Sequence, residues 1–113
     1  MQPELQRRAL QKLHEELTEL VASTTEAAKP VDLGEPIGRL SRVDAMQQQR
    51  MVAANRQAAK QRRRQVEAAL DRIDSDEYGE CLGCGEDIEP RRLEAQPEAP
   101  LCLECQSQRE RRD

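Results

Sequence analysis

Two Cys-x-x-Cys pairs, Cys81/Cys84 and Cys102/Cys105, constrain this chain more than any other feature. Each such turn brings two sulfurs to one side of a tight knuckle, and two knuckles supply the corners of a tetrahedron. The 17 intervening residues fall in the range of structural zinc sites. Gly83 and Gly85 mark the first knuckle, where glycine relieves backbone strain. The N-terminus, Met-Gln-Pro-Glu-Leu-Gln-Arg-Arg, has no apolar run of the secretory type. A cytosolic location is therefore expected, and there four cysteines favour metal over disulfides. The sequence predicts one zinc ion held by Cys81, Cys84, Cys102 and Cys105. Four thiolates leave no coordination site for water, and no other acid–base or nucleophile constellation is evident. The chain is expected not to be an enzyme.

A staple of this kind is needed. Tyr78 is the only aromatic residue among 113, and 35% of the chain is charged. Large side chains supply most buried apolar area, so a chain like this cannot build a large globular core. Zinc binding, on the order of 10 kcal/mol, offsets that deficit.

The rest of the chain reads as two helices. Residues 3–29 form the first, with Pro3 at its start and a stripe of Leu10, Leu13, Leu17, Leu20, Thr24 and Ala27. Pro30, Gly34, Pro36 and Gly38 punctuate a loop over residues 30–41. Ser41 opens the second helix, with Ser41–Asp44 as a capping box, and the helix runs to about Asp74. Its stripe is Val43, Met46 or Gln47, Met51, Ala54, Ala58, Val66, Ala69 or Leu70, and Ile73, with Arg62 near the seam. The fold class expected is mainly α: an antiparallel two-helix coiled-coil hairpin, a small four-cysteine zinc ribbon and a short polar C-terminal helix over 106–113. The domain division is 1–75 for the hairpin, with its tip at about 30–44, and 76–113 for the zinc module.

Charge is unevenly spread. Residues 42–74 carry eight Arg/Lys against four Asp/Glu, and residues 75–113 carry five against eleven. The net charge of −4 argues against general nucleic-acid affinity. Arg62–Arg64 read as a solvated face set against the acidic side of helix 1, and His14 as a plain exposed residue. The apolar stretches are too short to span a membrane.

The stretch Tyr78–Cys105 resembles the DksA/TraR family of bacterial zinc-finger proteins. The resemblance rests on Tyr78-Gly79, Cys84-Gly85, Ile88, Arg92-Leu93-Glu94-Ala95, Pro97 and both cysteine pairs. It covers about 28 residues in detail, and the preceding hairpin agrees in layout. It implies a transcription regulator that binds RNA polymerase rather than DNA, with its coiled-coil arm in the secondary channel. Some members act with ppGpp, and a role for ppGpp here is left open. In the family the tip carries an Asp-x-x-Asp-x-Ala motif. Here Leu40 and Val43 stand at the aspartate positions before Ala45, and Asp44 is displaced by one residue. The partner-binding tip is therefore expected to be Arg39, Leu40, Arg42, Val43 and Asp44. Arg91 and Arg92 are expected to tie the zinc module to acidic neighbours, Arg92 from the family pattern. The competing readings are a zinc-stapled interaction module for another cytosolic protein and a thiol-based redox sensor.

Overall fold

The computed structural model describes residues 3–24 and 39–112, with side chains of the second stretch described from Val43 onward. Four helices follow in order: α1 (Pro3–Ser23), α2 (Arg39–Asp74), α3 (Pro90–Ala95) and α4 (Leu103–Arg112). The molecule is elongated, 58 × 31 × 19 Å. The long dimension is set by α2, whose 36 residues extend about 54 Å at 1.5 Å per residue. No helix among the described residues is long and apolar enough to cross a membrane.

No Gly or Pro interrupts α2, and good helix formers (Ala, Gln, Arg, Met) fill most of it. The helix starts at Arg39, two residues before the expected start. Ser41 therefore lies inside the helix, and the predicted capping box does not mark its start. Arg and Leu are better helix formers than Ser, so the helix extends back through Arg39 and Leu40 toward Gly38. Its C-terminus is a Schellman motif. Asp76 takes φ +60°, the Glu77 N–H donates to the Arg72 carbonyl at 2.8 Å, and the Asp76 N–H donates to Ile73 at 3.2 Å. Aspartate tolerates this left-handed position better than most residues.

α1 and α2 pack antiparallel, with Arg7 beside Asp74 at one end and Val21 beside Arg56 further along. Leu10, Leu17 and Val21 of α1 meet Ala59, Val66, Ala69 and Ile73 of α2. The expected stripe on α1 is corrected at one point: Val21 is buried and Leu20 is 45% exposed. The stripe on α2 is corrected more widely. Val43, Met46, Met51, Ala54 and Ala58 are exposed. The less accessible positions run through Ala45, Gln49, Val52, Arg56, Ala59, Arg63, Val66, Leu70 and Ile73. These alternate in steps of four and three, the 3.5-residue repeat that keeps one face toward a partner helix. Val43, Met46 and Met51 do not follow that repeat, so reading by size selects the wrong face in the N-terminal half of α2. Polar residues in the seam contribute their aliphatic stems. The Arg56 Nε also donates to the Val21 carbonyl at 3.3 Å, an acceptor it shares with the Thr24 hydroxyl.

The charge pairing also differs from the expectation. Among the described residues, two ion pairs that cross between the helices place the base on α1 and the acid on α2. Arg7 Nη1 meets Asp74 Oδ1 at 2.7 Å, and His14 Nε2 lies 3.0 Å from Glu67 Oε1. His14 is thus a partnered residue. Arg62 pairs with Glu98 of the zinc module rather than with α1. The expected continuation of helix 1 through Ala27, most of the loop 30–41 and the side chains of Arg39, Leu40 and Arg42 lie outside the described residues.

Candidate metal centre

The zinc module begins where Tyr78 emerges from the end of α2. The chain turns through a short hairpin in which Glu80 and Asp87 form an isolated antiparallel bridge. The Ile88 N–H donates to Gly79 at 2.7 Å and the Cys81 N–H to Glu86 at 2.8 Å. No strand longer than that bridge forms among the described residues, so the expected ribbon is reduced to a knuckle. Gly85 closes it at φ +77°. Gly83 serves a different purpose: a Cβ there would meet Cys105 Sγ at 3.1 Å. The second half adds α3, which the sequence reading did not include. Pro90 starts α3, and Leu93, fully buried, anchors it against Cys81, Ile88 and Leu101.

All four cysteine sulfurs lie within 4.8 Å of one another, and all four are free thiols. Cys84 Sγ and Cys102 Sγ are 3.9 Å apart. A tetrahedron with Zn–S bonds of about 2.3 Å has edges of about 3.8 Å, so the cluster has the dimensions of a zinc site. A disulfide would bring the sulfurs to about 2.05 Å. Backbone N–H groups point at the sulfurs: Gly83 and Cys102 donate to Cys81 Sγ at 3.3 Å, and Cys105 donates to Cys102 Sγ at 3.5 Å.

The thiols are electrostatically arranged for a cation. Burial pushes Cys81 upward, but N–H donors from Cys102, Cys84 and Gly83, with the Cys105 thiol, outweigh it and bring Cys81 down to about 6. Cys105 is pushed up to about 12, first by Cys102, then by Cys81 and burial. One thiolate therefore forms readily and makes the next unfavourable. A divalent cation relieves that repulsion, and the all-sulfur donor set suits zinc. Cys81, Cys84, Cys102 and Cys105 would hold it, and the ion would supply cross-linking rather than a reactive position.

Polar contacts of three side chains, Tyr78, Arg62 and Arg92, seat the module on the rod and hold its second half. The Tyr78 hydroxyl donates to the Pro97 carbonyl at 2.9 Å, and its ring touches both apolar clusters. Arg62 Nε donates to Glu98 Oε1 at 3.0 Å. Arg92 Nε donates to the Leu101 carbonyl at 2.8 Å, and its Nη1 reaches Gln96 Oε1. Arg92 thus braces its own module instead of meeting an acidic group, a correction to the expectation. Glu98 is the residue that sequence reasoning missed. It is 2% exposed, and its Oε2 has no hydrogen-bond partner among the described residues. The flanking Pro97 and Pro100 mark a rigid turn there, but nothing in the sequence marks the carboxylate as buried.

Of the proposed tip, the structure describes the side chains of Val43 and Asp44 alone. Both are exposed, one turn into α2 and at the end of the rod far from the cysteines.

The model of the prokaryotic dksA/traR C4-type zinc finger matches residues 76–111. The whole architecture superposes on the transcription factor DksA2 from Pseudomonas aeruginosa with a TM-score of 0.73 and 26% identity. That superposition covers 98% of this chain and 84% of the other. Residues 76–111 form a DksA/TraR C4-type zinc finger, and the whole chain is similar in fold to DksA2. Among curated relatives, the RNA polymerase-binding transcription factor DksA of Haemophilus influenzae is 42% identical over 59 residues. The protein of the same name from Escherichia coli is 36% identical over 59 residues. These matches take in 52% of this chain but 41% and 39% of the relatives, so the chain spans about two fifths of their length. As a DksA/TraR C4 module, the cysteine cluster is a site for one structural zinc.

Proposed function

We propose that this protein binds bacterial RNA polymerase and regulates transcription, acting in the cytoplasm by binding and without a catalytic step of its own. The observation that carries this reading is the similarity of nearly the whole chain to DksA2, rod and zinc module together. The names of the curated relatives support polymerase as the partner. Residues 1–75 act as a probe and residues 76–113 as its base. A helix of about 54 Å is long enough to enter a narrow channel, which supports the polymerase secondary channel as the docking place. Arg39, Leu40, Arg42, Val43 and Asp44 would contact the enzyme deepest in that channel. Direct sequence-specific DNA binding has no place in this reading.

Binding of the zinc-loaded protein to core RNA polymerase, in competition with a known secondary-channel factor, tests the proposal. Mutual displacement is the expected result. Binding without displacement would move the site out of the channel. No binding at about micromolar concentration would reject polymerase as the partner. The second reading, an interaction module for another cytosolic protein, is favoured by the sequence of the tip, where Leu40 and Val43 replace the family's aspartates.

A further inference from the structure

α4 is a ten-residue helix that buries none of its own residues, yet each of its sides borders a hollow. One side, Leu103, Gln106, Ser107 and Glu110, faces a polar cavity that also contains Glu98. The other, Cys105, Gln108, Arg109 and Arg112, faces a groove of about 380 Å³ completed by Leu82, Gly83, Pro100 and Leu101. Both sets follow the i, i+3, i+4, i+7 spacing of a single helix side. Glu110 thus lies toward the cavity, and Arg109 and Arg112 toward the groove, while Glu104 and Arg111 line neither.

We infer that the groove between the first cysteine knuckle and α4 is a docking site for an acidic peptide segment of a partner protein, one that carries an aliphatic side chain.

The charge argument comes first. Apart from the zinc ligand Cys105, Arg109 and Arg112 are the charged residues lining the groove. Both are exposed, and neither has an ion-pair or hydrogen-bond partner among the described residues. Residues 75–113 as a whole carry five basic against eleven acidic residues, so two arginines on the α4 wall of one groove contrast with their surroundings. An acidic chain is steered into it and away from the flanking surface.

The apolar argument sets the second requirement. Leu82 is 64% exposed although it sits in a rigid knuckle whose neighbours are zinc ligands. Its N–H donates to the Pro100 carbonyl at 2.9 Å, which fixes the groove wall. Pro100 and Leu101 continue that apolar wall. Covering Leu82 is worth about 1–2 kcal/mol, roughly tenfold in affinity. A nucleic acid would satisfy the arginines, but no aromatic residue lines the groove for a base to stack on. The inference does not depend on polymerase as the partner, and the groove lies at the end of the rod away from the tip.

The test is an NMR titration of the zinc-loaded full chain with two synthetic peptides, one of glutamate and leucine, the other of lysine and leucine. Saturable shifts confined to Leu82, Gly83, Leu101 and Gln108–Arg112 are expected with the first alone. The double substitution Arg109→Glu/Arg112→Glu should weaken binding about tenfold, from two exposed charge contacts reversed. Leu82→Ser should weaken it by roughly the same factor. Zinc content and the unperturbed remainder of the spectrum verify folding of each variant. Equal binding of the lysine peptide, shifts scattered over the chain, or no shifts at about millimolar peptide would overturn the inference. So would tighter binding of a single-stranded oligonucleotide at the same residues.

Discussion

The rod and the zinc module are held together in opposite ways. The rod spreads its cohesion along two helices, through Leu10, Leu17 and Val21 against Ala59, Val66, Ala69 and Ile73. Alanine at two of the seven positions lets the helices approach closely while adding little burial each. The module concentrates its cohesion at one point. Its apolar cluster is Cys81, Ile88, Leu93 and Leu101, and one of those four is itself a metal ligand. The rod should therefore weaken by degrees and the module should fail as a whole. Tyr78 belongs to both clusters and is the place where the two behaviours meet.

Removal of zinc should have the largest effect. A chelator withdraws on the order of 10 kcal/mol from the module. Amide signals of residues 78–112 should collapse while far-UV circular dichroism retains the helix of the rod. Loss of both together would show that Tyr78 couples them into one unit and would break the comparison. Zinc binding must also expel the protons of the remaining thiols, Cys105 at about 12 among them. Zinc affinity should accordingly fall as pH is lowered from about 8 to about 6.

Leu10→Ala is the converse experiment. Leu10 is fully buried at the centre of the rod core. Its truncation should cost about 2–5 kcal/mol, read as a lower denaturation midpoint of the helical signal. Zinc affinity should stay at the parent value, and a parallel drop would contradict independent cohesion.

Arg62→Ala probes the contact between the two regions. It leaves the carboxylate of Glu98, already short of one partner, buried without its cation. A loss of about 1–3 kcal/mol is expected. The double variant Arg62→Ala/Glu98→Gln should recover much of it, because the uncompensated charge is gone. Failure of the second substitution to rescue would mean that the arginine acts through its packing.

Alkaline titration should give the smallest effect. Burial, opposed by Arg72 and assisted by Glu98, raises the Tyr78 phenol from 10.0 to about 12. The folded state thus favours the neutral phenol. Its contribution is complete below pH 10 and is lost as pH rises toward about 12. Because the ring is half-exposed, the loss should stay below ~1 kcal/mol. Tyr78→Phe should flatten this part of the pH profile. An unchanged profile would assign the alkaline loss to other groups.

What the sequence determined by itself is what depends on spacing and composition. The cysteine intervals define a tetrahedral ligand set before any fold is known. The absence of Gly and Pro from residues 39–74 allows the long helix, whose end the sequence places at about Asp74. The Tyr78–Cys105 pattern carries the resemblance to the DksA/TraR zinc finger. What the tertiary structure alone decided is which side of each surface is covered. Met46 and Met51 look like seam residues by size, but a seam is defined by the partner's repeat, and that repeat passes through Gln49, Arg56 and Arg63. Arg92 looks like a contact for acids, but it closes on the Leu101 carbonyl, nine residues along the chain. The burial of Glu98, and the hollows that the two sides of α4 face, depend on where the zinc knuckles set the rest of the module. Burial is a property of pairs of surfaces, and one chain of letters lists the surfaces without saying which pairs form.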